Sequence, residues 1–423
     1  MSPDVPEVGH HGIVLGTEAH RTAFPVLAGA VFVIATGYGV VLPLLPVLLR
    51  RWMGEPDAAL AAWHTGALTG IYMLALAAAA PLWGRISDRD RRRPVLAVGL
   101  AGYAAALALL AFAQSMMLAY LLRFAAGAFA GAVIPVATAI AAETADASRR
   151  ARRVTWLAAA SLMGYAVGPA ISGWIYGWAW RMSGSDPAAA AADAMVAWPL
   201  YAGAVLAVAV ALGSRAVLPS VRSASASSAA RAGDTARTLL IAALSLLVMS
   251  GLGAFEVGIT IFAEQALALG PVALAWMFAE CSVAMLAVQG LIVFTPWFWR
   301  LPRSAVVICG FAAMTIGFAL LPYASAPWIL FVAVALVGAG SGVLLPVLSH
   351  LVTVGATAGL GIVLGMQTAA ASLGQALGSA AGGALFGQLA GASFWIQAGL
   401  MATGAAVAVA QRARLSGPLT DRG

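Results

Sequence analysis

Gly84-Arg85-Ile86-Ser87-Asp88-Arg89-Asp90-Arg91-Arg92-Arg93-Pro94 sets five arginines and two aspartates in eleven residues. The stretch stands between two long apolar runs, 64–83 and 94–113. In a chain of 423 residues with 62% hydrophobic and only 9% charged side chains, such a cluster is an exception that needs a place. Soluble domains carry about 25% charged residues, so the remaining apolar surface is far more than a soluble core would bury and its solvent is lipid. The cluster is then a loop at a membrane surface, and the runs on either side are spans.

Working outward, runs near the 20 residues that a bilayer core requires recur at about 22–49, 64–83, 94–113, 117–142, 154–179, 196–217, 238–262, 271–294, 304–322, 327–350, 361–388 and 393–411. Lipid leaves backbone groups no partner outside their own segment, and these runs are too long for barrel strands, so they are helices. All 23 basic residues are Arg, which fits GC-rich bacterial coding. Nineteen of them fall in alternate loops and tails, three (Arg50, Arg51, Arg181) on the opposite side, and Arg123 within span 4. That asymmetry places both termini in the cytoplasm of a bacterium, the spans crossing its plasma membrane. The formal net charge of +7 is accounted for by these loops, and nucleic acid is not an expected partner. The first 20 residues hold acids, Pro3 and Pro6, unlike a cleavable leader, so span 1 is expected to be retained. Cys281 and Cys309 lie inside apolar runs without metal-ligand spacing, and no metal or other cofactor is expected.

The chain is also a tandem duplication. Gly127, Gly131 and Pro135 recur as Gly338, Gly342 and Pro346, 211 residues later, and Gly164, Gly168, Gly173 and Gly177 recur as Gly374, Gly378, Gly383 and Gly387, 210 later. Gly37 and Gly39 echo Gly251 and Gly253 at 214. Six spans per repeat is even, so the repeats run parallel. The sequence thus predicts an all-α membrane protein of twelve transmembrane helices in two parallel six-helix repeats. Its expected parts are an N-terminal tail (1–21), a first bundle (22–213), a cytoplasmic linker rich in Ala, Ser and Arg (214–237), a second bundle (238–411) and a tail (412–423).

Three segments carry a family resemblance. The loop 84–94 resembles the G-x-x-x-D-R-x-G-R-R signature of the major facilitator superfamily. Leu122-Arg123 with Gly127 and Gly131 is similar to that superfamily's span-4 pattern. Gly164-Tyr165-Ala166-Val167-Gly168-Pro169-Ala170-Ile171-Ser172-Gly173 resembles the span-5 antiporter signature of its drug:proton exporters, among which the twelve-span tetracycline exporters are the nearest in flavour. The departures are Arg91 for a glycine, Trp174 for the last glycine of the span-5 motif, no acid around Gly37-Tyr38-Gly39, and a second-half loop, 295–303, without the aspartate. The resemblance implies a proton-driven transporter, functional as a monomer, that exports small amphipathic compounds such as drugs or a siderophore-like metabolite. It also implies a conformational latch at Gly84, Asp88, Arg89 and Arg92, and an antiporter motif at Gly164, Gly168, Pro169 and Gly173.

Read as residues, Gly164 with Gly168 and Gly173 with Gly177 form two close-approach pairs on roughly opposite helix faces, and Pro169 permits a bend. Ionisable groups at membrane depth mark pathways. Glu256, about 25 Å into span 7, and Glu280, about 13 Å into span 8, stand at similar depth in the outer half. Both are candidates to load and release protons, with Arg123 neutralising one of them. Tyr38, Phe255, Met249 and Trp276 are candidate substrate contacts, while Glu143 and Glu264 read as interfacial. Importing a metabolite with protons, or sensing without transport, are the competing readings. An enzyme is disfavoured because no nucleotide loop or nucleophile constellation is present. Replacing the latch acid, Asp88→Asn, is expected to change the ratio of inward-open to outward-open populations measured by cysteine accessibility; an unchanged ratio contradicts the latch.

Overall fold

The structure is a computed structural model that describes residues 17–54, 57–87, 92–143, 147–182, 192–217, 235–295, 298, 300–324, 326–354 and 360–415. The described residues fold as twelve membrane-length helical segments. Span 1 joins Thr17–Val41 to Leu45–Met53 through a 3-10 turn, Leu42–Leu44, where Pro43 and Pro46 interrupt the regular ladder. Spans 2 to 6 are Ala58–Ser87, Arg92–Leu110, Met116–Glu143, Ala147–Met182 and Ala192–Val217. Spans 7 to 12 are Thr235–Gln265, Pro271–Phe294, Arg303–Leu320, Pro327–Val354, Leu360–Leu389 and Ser393–Ala410. Ten stretches are long and apolar enough to cross a bilayer, one of which, Met366–Ala410, contains spans 11 and 12 joined at Ala390–Ala392. Span 5, with arginines in its first turns, completes the twelve. Helix extends to Val217 and resumes at Thr235, so both ends of the expected linker 214–237 are helical, while 218–234 lie outside the described residues.

The two halves pack alike. Span 1 packs on 5 and 6, span 4 on 2 and 3, and span 3 on 6. In the second half span 7 packs on 11 and 12, span 10 on 8 and 9, and span 9 on 12. The halves meet chiefly where span 2 crosses 11 and span 5 crosses 8.

The recurring glycines are where these crossings close. A Cβ on Gly127 would strike the Tyr72 carbonyl, and one on Gly338 the Cys281 carbonyl. Gly131 and Gly342 meet Leu76 and Met285 in the same way. Gly164 and Gly168 lie against the carbonyls of Phe32 and Thr36 in span 1, as Gly374 and Gly378 lie against those of Leu246 and Ser250 in span 7. The other pair turns to the opposite half: Gly173 and Gly177 face Ala275 and Val272, and Gly383 and Gly387 face Ala62 and Ala59. In lipid, helix association rests on close packing, so a missing side chain at each crossing is what lets two backbones approach.

Among the described residues the half-to-half contacts run from mid-span to the end of the bundle opposite the arginine-rich loops. There Arg50 pairs with Glu264, and Gln265 Nε2 donates to the Ala58 carbonyl at 3.2 Å. Arg50 and Glu264 are 214 residues apart, the spacing of the span-1 and span-7 glycine echo, so the ion pair joins equivalent positions of the two repeats. At the arginine-rich end, Asp88 and Arg89 of the expected latch, with Arg91, lie outside the described residues. Gly84 has open space around it, and Arg92 is buried at the start of span 3. Arg303, 211 residues later, is buried at the start of span 9, so the second half keeps this arginine although its loop lacks the aspartate. Arg93 donates to the Arg215 carbonyl, tying span 3 to the end of span 6.

A methyl group at a closed crossing must push two backbones apart. Gly378→Ala is expected to cost about 1–3 kcal/mol, the range for overpacking, and to lower the thermal unfolding midpoint in detergent. Gly290→Ala, where a Cβ meets nothing within 4 Å, is expected to leave the midpoint unchanged or raised. Equal effects would contradict the packing role.

Candidate functional site

The polar centre forms where spans 1, 2, 4, 7 and 11 converge. Seventeen residues of mostly apolar helix carry the chain from Leu239 to Glu256, which the two glycine seams of span 11 bring against both Gln375 and Tyr38. Glu256 is 6% exposed. Its Oε2 accepts a hydrogen bond from the Tyr38 hydroxyl at 2.6 Å, and Gln375 Nε2 donates to both carboxylate oxygens, at 3.3 and 3.1 Å. Gln375 Nε2 also reaches the Tyr38 hydroxyl at 3.4 Å. Tyr38 belongs to the first half and Glu256 and Gln375 to the second, so one carboxylate ties the halves together.

Aromatic rings surround this bridge. Tyr38 stacks tilted on Tyr72 at 5.0 Å between centroids and meets Tyr165 edge-on at 5.6 Å. Tyr103 donates to the Ile34 carbonyl at 3.0 Å and fills the space left by Gly37, where a Cβ would overlap its ring. Gly39, two residues on, takes Pro169 of the span-5 motif in the same manner. Glycines on either side of Tyr38 therefore let span 1 sit close enough to its neighbours for the tyrosine to reach Glu256.

Arg123 is 2% exposed. Its Nε donates to the Leu68 carbonyl at 3.1 Å, and its guanidinium lies over the Tyr72 ring at 4.7 Å and the Tyr38 ring at 5.6 Å. Nη2 is buried without a hydrogen-bond partner. The cation thus lies over the ring whose hydroxyl holds Glu256, and its charge acts on the carboxylate as well. One turn toward the sealed end, His64 Nδ1 and the Tyr120 hydroxyl are 2.8 Å apart and link spans 2 and 4.

The structure brings Glu256, Tyr38 and Arg123 together. It sets Glu280 and Trp276 elsewhere. Trp276, Val283, Ala287, Leu291 and Phe294 form one exposed stripe along span 8, with Trp276 65% exposed, and Glu280 lies on this face. Glu280 is half-buried, and its Oε2 is buried without a partner. Glu256 contacts Tyr38 and Gln375. Phe255 is 1% exposed and packs edge-on against Phe318, and Met249 is half-buried against the core. Glu264, read as interfacial, takes part in the sealing ion pair. Gln375, Tyr72 and Tyr165 escaped the sequence reading. The one available signal for Gln375 was an amide at mid-span in a glycine-rich helix, where any unpaired polar group is costly.

Residues 27–298 match the model of the Major Facilitator Superfamily. The chain is 39% identical over 139 residues to the class B tetracycline resistance protein of Escherichia coli, covering 33% of this chain and 34% of that one. It is 30% identical over 142 residues to the multidrug resistance protein MdtG of Proteus mirabilis, covering 34% and 35%. These alignments span about a third of the length of the relatives. Among solved structures, a D-xylose-proton symporter superposes with a TM-score of 0.75 at 16% identity, over 92% of this chain and 97% of that one. With twelve spans in two like halves and more than half its length matched by the family model, the chain is a multi-pass membrane protein that belongs to the major facilitator superfamily.

Proposed function

We propose that this protein is a proton-coupled exporter of small amphipathic compounds, working by alternating access as a monomer in a bacterial plasma membrane. Two six-helix bundles, 22–213 and 238–411, rock against each other about the linker 214–237, with the tails 1–21 and 412–423 and the arginine-rich loops in the cytoplasm. The nineteen-to-three arginine distribution supports that orientation. Export is supported by the span-5 motif and by the likeness to tetracycline and multidrug resistance proteins over a third of their length.

The observation that carries the reading is the Tyr38–Glu256–Gln375 bridge. An ionised carboxylate only accepts hydrogen bonds, so it satisfies donors from both halves at once. Protonated, it becomes a neutral acid: the proton occupies one oxygen, and the bonds from Tyr38 and Gln375 to the other lose the charge assistance that made them strong. The empty, ionised transporter is therefore held with the halves together, and a bound proton loosens the bridge. An antiporter requires this rule, because crossing empty would dissipate the gradient. Arg123 orients Tyr38 through its ring, and the glycine seams at 164 and 168 keep span 5 against span 1 while the halves move. Asp88 and Arg89, with Gly84 and Arg92, complete the reading as the latch of the cytoplasmic end.

The test uses purified protein in proteoliposomes with an internal pH dye, challenged with tetracycline and with cationic dyes. Substrate-driven proton flux is expected in the wild type and is expected to fall at least about tenfold in Glu256→Gln. Tyr38→Phe removes one bond to a charged group, worth about 1.5–3 kcal/mol, and is expected to leave flux with a weakened dependence on the pH gradient. Glu280→Gln, which leaves the bridge intact, is expected to keep flux close to wild type. Retained flux in Glu256→Gln, or co-movement of proton and substrate in one direction, contradicts the proposal.

A further inference from the structure

Spans 3 and 6 meet closely on one side and part on the other. On the closed side Gly203 of span 6 takes Leu107 against its backbone, with Gly37 of span 1 beyond. On the opposite face of span 6 the facing residues are too short to meet. Ala101, Ala104 and Ala108 stand across from Tyr201, Val205 and Val208, and a groove of about 460 Å³ lies between them. Span 6 packs on spans 1, 3 and 5, and among the described residues neither wall of the groove packs on the second half. The groove therefore opens on the outer surface of the first bundle, where Val205 is 68% exposed and the neighbouring solvent is hydrocarbon.

This groove continues into a furrow that ends in charge. Val205, Val208, Leu212 and Arg215 follow at i, i+3, i+7 and i+10, within about 80° of one another at about 100° per residue, and all four are exposed. On the other wall Arg93 donates to the Arg215 carbonyl, which sets one guanidinium on the backbone of the residue that carries the next. Among the described residues neither arginine forms an ion pair with an acid. Two cations at one mouth repel, and an anion shared between them turns that cost into a gain. The depth also fits. Ala101 lies eight residues from Arg93 and Ala108 fifteen, about 12 and 22 Å along the helix. Half of a bilayer with its headgroups is about 20 Å, so the groove stands where an acyl chain ends if its phosphate is at the arginines. The second half does not repeat the pair, since Ser304 stands 211 residues after Arg93.

We propose that this furrow binds one anionic phospholipid from the leaflet at the arginine-rich end, with its phosphate on Arg93 and Arg215 and one acyl chain in the groove between spans 3 and 6. The bound chain fills the face on which the two helices fall short of each other, and the phosphate joins their ends. The site depends on neither the cargo nor the direction of transport.

The test is native mass spectrometry of the full chain in a neutral detergent, titrated with dioleoyl phosphatidylglycerol, dioleoyl phosphatidylcholine and glycerol phosphate. Wild type is expected to hold one phosphatidylglycerol about tenfold more tightly than phosphatidylcholine, and glycerol phosphate far more weakly than either. Arg215→Gln removes a guanidinium but keeps the carbonyl that Arg93 uses, and is expected to weaken phosphatidylglycerol about fivefold. Ala105→Phe, on the exposed edge of the groove, is expected to fill it and weaken both lipids. Arg414→Gln removes an exposed charge after span 12 and is expected to change neither. Both test residues are exposed, so both variants are expected to fold. Equal affinity of wild type for the two lipids, glycerol phosphate bound as tightly as phosphatidylglycerol, or a loss in Arg414→Gln equal to that in Arg215→Gln would overturn the proposal. So would unchanged binding in Ala105→Phe, or a wild-type dimer that Ala105→Phe splits, which would give the furrow to a second copy.

Discussion

Glu256 is buried where its own half supplies one donor and the other half supplies the second. One of its partners, Tyr38, comes from span 1 and the other, Gln375, from span 11, and a carboxylate in a lipid-embedded core has no water to fall back on. The arrangement therefore makes the contact between halves conditional on the charge of a single group. Tyr72 and Arg123 against Tyr38, and Tyr103 beside it, hold the hydroxyl in place, so the condition is imposed by packing as well as by charge.

That packing depends on glycine. Span 1 approaches span 5 through Gly164 and Gly168, span 7 approaches span 11 through Gly374 and Gly378, and the halves approach each other through Gly173, Gly177, Gly383 and Gly387. At Gly164, Gly168, Gly374, Gly378, Gly383 and Gly387 backbone meets backbone, while Gly173 and Gly177 admit the small side chains of Ala275 and Val272. Interfaces of this kind can re-register as rigid bodies. The same geometry that admits Tyr38 to Glu256 thus lets the halves separate once the bond is lost, and the Arg50–Glu264 pair at the sealed end is exposed enough to open with them.

Much of the architecture was legible because lipid imposes it: span lengths, the arginine asymmetry and the glycine offsets of 210 and 211 all have one physical cause each. Glu256 and Arg123 were also legible as charges at depth, whereas Tyr38 reads in the sequence as a substrate contact and its bond to Glu256 was not legible. Gln375 was not, since a neutral amide in an Ala- and Gly-rich helix differs little from a packing residue until its partner is known. Glu280 and Trp276 show the converse. Span 8 is apolar on every face, so its sequence has no periodicity to separate lipid from interior, and only the packing of Cys281 and Met285 on span 10 fixes which way Glu280 points. Arg303 was obscured by its loop, whose missing aspartate drew the eye from a buried arginine that both halves share.

The central claim is that the ionised Glu256 bridge holds the empty transporter closed at the end opposite the arginine-rich loops. Spin labels at Leu60 and Leu389, both exposed at that end and clear of the glycine seam, in a chain with Cys281 and Cys309 replaced by alanine, measure that gap by pulsed electron resonance. Without substrate, wild type should give a short, narrow distance distribution at high pH and gain a longer component as the pH falls, while Glu256→Gln should show the longer component at every pH. A distribution that ignores both pH and the substitution would contradict the account.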